Sequence, residues 1–169
     1  MKVEDVEVGL KVTVHPLGEE PYEVQGKPDT TTEEVEIRVD IYTSTWNHVR
    51  YALVTSQEEV DCLLKTHREA TVPYFDQALP HKGAVTHLYR DWAVVHYDLG
   101  PIDKDFEEGK ITRAEAFAGI MGILAHEAYH VCEKIYLEMG EEAPSSEFAA
   151  YTLQTVMHDF VSSISRKIL

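Results

Sequence analysis

The chain has 169 residues, 44% apolar and 27% charged, which suits a globular domain with a single core. Against 15 Lys and Arg stand 30 Asp and Glu, a formal net charge of −15. That excess excludes the electrostatic footprint of a nucleic-acid binder or of a protein held on an anionic membrane, and leaves a cationic partner or plain solubility as its use.

The longest uncharged stretch, residues 116–125, is too short to cross a bilayer. Met1-Lys2-Val3-Glu4-Asp5 lacks the apolar run of a signal peptide. Cys62 and Cys132 make no disulfide framework, so a reducing, cytoplasmic setting is expected. Cys132 itself reads as a core thiol. Acidic pairs such as Glu19-Glu20, Glu107-Glu108 and Glu141-Glu142 read as solvated turns and helix starts.

Residues 1–169 are expected to form one domain, with N-terminal strands over 1–55. Val6, Val8, Leu10, Val12 and Val14 alternate strictly, as do Val35, Ile37, Val39 and Ile41, so both runs read as half-buried strands. Between them, Pro16 to Thr32 carries the glycines and prolines of a loop. Tyr51–Val54 reads as a third strand. Ser56-Gln57-Glu58-Glu59 has the form of a capping box and opens a helix over 56–69. Pro73, Pro80 and Gly83 punctuate the link to a hairpin over 84–98. Metal-site helices are expected over 112–167. The order suits an α+β domain with helices on one face of a mainly antiparallel sheet.

The last third carries the chemistry. Thr112-Arg113-Ala114-Glu115 is a second capping box, no proline follows before Met139, and Gly140 supplies a stop. Ile120, Leu124, Ala128, Val131 and Ile135 form a core-facing stripe, with Gly119, Gly122, His126 and His130 on another face. The glycines read either as room for close packing or a substrate, or as admitting a neighbouring strand. A helix so apolar suggests a central position.

His126-Glu127-Ala128-Tyr129-His130 is an HExxH sequence. Four residues apart on a helix, His126 and His130 can place two imidazoles on one cation. Glu127, about 100° around the axis, would stand beside the metal as a general base. With nine histidines in the chain the bare motif can arise by chance, so its surroundings matter. An open zinc site needs a third protein ligand. Beyond the loop 141–144, Ser145 or Ser146 is a candidate N-cap for a helix to about Lys167, with Glu147 in its first turn.

HExxH followed by this glutamate resembles the gluzincin, thermolysin-like branch of zinc metallopeptidases, and the minimal zincin domains of bacteriophage and bacterial genomes. The resemblance covers about residues 84–160. It implies Zn²⁺ held by His126, His130 and Glu147, with Glu127 catalytic. Tyr151 departs from the pattern, since the family often has an acidic residue there to support the histidines. The family also keeps a cleft-lining edge strand upstream of its active helix, which would be Asp91–Asp98 here.

Glu147, Tyr151, Gln154 and His158 share one helix face, either functional or simply solvated. Tyr151 and His158 are candidate donors to an oxyanion. His87 and His96 read as ordinary sheet residues.

The expected function is a zinc-dependent hydrolase, a small peptidase acting on peptide or protein substrates with a cationic bias; the Trp92–Asp98 strand either pairs with an extended peptide by β-augmentation or is an ordinary covered edge or central strand of the sheet. The rivals are a binding or assembly module on the same fold without turnover, an acidic inhibitor that mimics DNA, and a helical hairpin with no metal.

Overall fold

The structure is a computed structural model that describes residues 11–12, 35–79 and 83–168. Most of the first expected strand, and the loop Pro16–Thr32, lie outside the described residues. Within them, β1 (Lys11–Val12) pairs antiparallel with β2 (Val35–Glu36). The second alternating run does not continue as one strand: β2 ends at Glu36 and β3 (Ile41–Thr43) begins in a separate sheet.

That sheet has four strands in the order β3, β4 (Arg50–Val54), β6 (Trp92–Tyr97), β5 (Ala84–Tyr89). It is mixed. β3 with β4, and β5 with β6, are antiparallel, but β4 and β6 run parallel with Tyr51 opposite Ala93 and Leu53 opposite Val95. Two of the three pairings are antiparallel, as expected, but the central one is parallel, and the expectation that the helices all lie on one face is corrected. Two central strands covered on both faces need continuous apolar runs, and Tyr51–Val54 and Trp92–Tyr97 are buried at every position.

The two faces carry separate cores. On one, Tyr51, Leu53, Ala93, Val95 and Tyr97 pack against α4 (Arg113–Met139) and α5 (Ser146–Ile168). On the other, Val54, Trp92 and Val94 pack against Val60 and Leu63 of α1 (Gln57–Thr66) and Ala70 of the 3₁₀ turn Arg68–Ala70. α2 (Phe75–Ala78) and α3 (Gly100–Glu107) complete the order. The whole is α+β with helices on both sides of the sheet.

α4 begins where its capping box demands: Thr112 Oγ1 accepts from Glu115 N at 3.2 Å, and Thr112 N donates to Glu115 Oε2 at 2.7 Å. It stops at Gly140, whose φ of +68° is the left-handed cap that favours glycine. α5 opens with Ser145, whose Oγ accepts from Phe148 N. Only half of the other expected box forms. Ser56 caps Glu59 N, but the Glu59 carboxylate turns to Thr55 N and to Lys167 Nζ at 2.7 Å.

Three polar ties seat α5 on the sheet. The buried Tyr51 hydroxyl donates to Asp159 Oδ2 at 2.7 Å. Lys167 Nζ also donates to Leu53 O at 3.1 Å, and Arg166 pairs with Asp40 and the Tyr42 hydroxyl. Burial and the Asp159 carboxylate both push the Tyr51 phenol well above its ordinary pKa, so it stays the donor.

Candidate functional site: the outer face of the α4–α5 hairpin

The residues of α4 sort by face. Ile120, Leu124, Ala128, Val131 and Ile135 are buried against the sheet, as the periodicity requires. Glu127 lies on the flank of that stripe, also buried, where its Oε2 accepts from Thr86 Oγ1 of β5 at 2.6 Å. Its carboxylate is an anchor between helix and sheet. His126 and His130 lie on the opposite, outward side. Their Nε2 atoms approach to 3.3 Å, and His130 Nδ1 pairs with Glu133 Oε2 at 3.1 Å.

Glu147 is exposed in the first turn of α5. The Tyr136 hydroxyl donates to Ala149 O at 3.3 Å, which sets the start of α5 beside residue 136. His130 and His126 lie six and ten residues back from that level, roughly 9 and 15 Å of helix rise. Among the described residues, which include all three expected ligands, no group of three or more His, Cys, Asp or Glu side chains could hold a metal ion. The residues present therefore do not fit the zinc centre of a gluzincin, and the resemblance is corrected on that ground. What remains is a pair of imidazoles on the outward face of α4.

The upstream strand also differs from the cleft-edge expectation. β6 is central, hydrogen-bonded to β4 on one side and β5 on the other, so Trp92–Tyr97 offers no free edge to a peptide. Tyr151 is 64% exposed. His158 points outward, with Nδ1 3.5 Å from the buried Asp159 Oδ1. With Glu147 and Gln154 they line an exposed face of α5.

The glycines have little against them. A Cβ at Gly122 would meet nothing within 4 Å, and one at Gly119 only Ile102 Cδ1 at 3.8 Å. Neither close helix packing nor a neighbouring strand accounts for them.

Between α4 and α5 the two helices leave a groove of about 530 Å³. Tyr129, Cys132, Tyr136 and Leu137 of α4, with Ala149, Ala150 and Leu153 of α5, make its apolar lining. Glu133, Glu141 and Glu142 are its charged residues, and Pro144 lies in the connecting loop. Leu137 is 72% exposed and Tyr129 55%. Burial raises the Cys132 thiol to about 11, which keeps it protonated and unreactive on the groove floor. The sequence signal for this surface is Tyr129, Cys132 and Tyr136, apolar at helical spacing beside the core stripe.

Compared with known proteins, the chain matches no family model, no curated protein and no solved structure.

Proposed function

We propose that this chain is a protein-binding module and that the outer face of the α4–α5 hairpin is its contact surface. The observation that carries the reading is the exposure of Tyr129 and Leu137 along the apolar groove between two helices whose other faces already fill the core. Large apolar side chains clustered in water favour a partner that covers them. A photo-reactive residue at position 137 is expected to give one discrete cross-linked protein in cells, and the same residue at the exposed Asp61 of α1 none. Equal, diffuse labelling at both positions would count against the surface.

The hydrolase expectation is the second reading, supported by the 3.3 Å approach of the His126 and His130 Nε2 atoms. Against it stand the missing third ligand and a Glu127 carboxylate tied to Thr86. A quenched peptide library incubated with the chain and added zinc decides it. Turnover abolished by Glu127→Gln would favour the enzyme, and no turnover the module.

A further inference from the structure

The binding reading can be taken further, to the class of partner, and the inference rests on that reading. We infer that the α4–α5 groove receives a short cationic amphipathic helix of another protein, apolar side down and basic residues against Glu133, Glu141 and Glu142.

Four features converge on that occupant. The groove lies between two helices whose backbone groups are satisfied internally, so it offers no strand edge for pairing. What it offers is a furrow between side-chain ridges, the seat that a third helix fills. Its length matches. Tyr129 to Leu137 is nine residues of α4, eight helix rises or about 12 Å, which is roughly two turns of a docked helix. Anchors at i, i+3 or i+4 and i+7 would therefore fill it.

Its floor suits close approach. Ala149 and Ala150 keep the α5 side low, while Tyr136 and Leu153 give apolar walls. Leu137, at 72%, has a larger exposed fraction than Tyr129, at 55%.

Its charge has one sign. Among the described residues, every charged side chain lining the groove is a glutamate, on a chain whose net charge is −15. An acidic or neutral helix would meet repulsion or no steering, and a lysine- or arginine-bearing one is drawn in. Glu141 and Glu142 sit in the loop just past Gly140, at the C-terminal end of α4, where the carbonyl end of the helix dipole adds to the negative field.

The test uses the whole chain and three labelled synthetic 14-residue peptides, followed by fluorescence anisotropy. One is an amphipathic leucine–lysine helix, one has the same composition scrambled to remove the apolar stripe, and one replaces lysine with glutamate. The leucine–lysine helix is expected to bind at least tenfold more tightly than either control, and more weakly as salt is raised from 50 to 300 mM. Leu137→Asp should cost about tenfold in affinity. Glu141→Lys/Glu142→Lys should reverse the preference between the lysine and glutamate helices. Both changes are at exposed side chains, and circular dichroism checks that each variant is folded.

Unchanged binding of the lysine helix to both variants would overturn the groove as its seat. Equal binding of the scrambled peptide would overturn the helical occupant and leave a merely electrostatic contact. A concentration-dependent dimer that loses its contact in Leu137→Asp would make the occupant a second copy of this chain, and the inference would fall. In any of these cases a discrete cross-link at position 137 would leave the binding reading standing, whereas its absence as well would remove both.

Discussion

His96 is wholly buried on β6, its ring 4.9 Å centre to centre from that of His87 and 5.8 Å from Phe75. Burial chiefly, and then the charge of His87, lower its pKa from 6.5 to about 4, although the carbonyls of Pro73 and Val94 oppose the shift. The fold therefore prefers the neutral ring. Above pH 6.5 that preference costs nothing, because the unfolded chain is neutral there too. As pH falls from 6.5 towards 4 the unfolded chain takes up a proton that the folded one refuses, and up to roughly 3 kcal/mol of stability is lost. Denaturant titrations at pH 7 and pH 4.5 are expected to show this loss in the wild type and a much smaller one in His96→Gln. Equal losses would mean that the ring does not govern acid sensitivity. The strand placement of His96 was legible in the run Trp92–Tyr97. Its complete burial was not, because that depends on a parallel neighbour and on α1 covering the far face.

At the scale of elements, α4 shows what local sequence can specify and where it stops. The Thr112–Glu115 box, the absence of proline and Gly140 fixed both ends, since caps are local hydrogen-bond arrangements. The core stripe was also correct. What misled was taking so apolar a helix to be central, with its histidines buried. At about 100° per residue, His126 and His130 centre about 140° from the middle of the stripe, while Glu127 lies only about 60° from it. The same arithmetic sends the histidines to solvent and the glutamate to Thr86.

α3 was missed, although Asp98 accepting from Gly100 N and Pro101 in the first turn are start signals. The sequence left β6 open between a cleft edge and a central strand, because strand order depends on which distant strands pair. For Gly122 the open surroundings make a specific expectation. Gly122→Ala should stabilise the chain by about 0.5–1 kcal/mol through helix propensity. A drop in thermal midpoint would show that something occupies that space.

At the scale of the whole molecule, helices among the described residues cover both faces of a mixed four-stranded sheet, and the α4–α5 hairpin leaves an apolar groove with glutamates in its lining. Among the described residues no helix is long and apolar enough to cross a membrane. The resemblance to a zinc peptidase rested on four positions near in sequence. In space they separate into two solvent-facing imidazoles, one carboxylate bonded to the sheet and one at the far end of the hairpin. That separation is the centre of the account, and metal stoichiometry tests it most directly. Elemental analysis of the purified wild type and of His126→Ala/His130→Ala, each dialysed against micromolar zinc, is expected to find well under one zinc per chain in both. One tightly held zinc per chain in the wild type, lost in the double variant and in Glu147→Ala, would contradict the account.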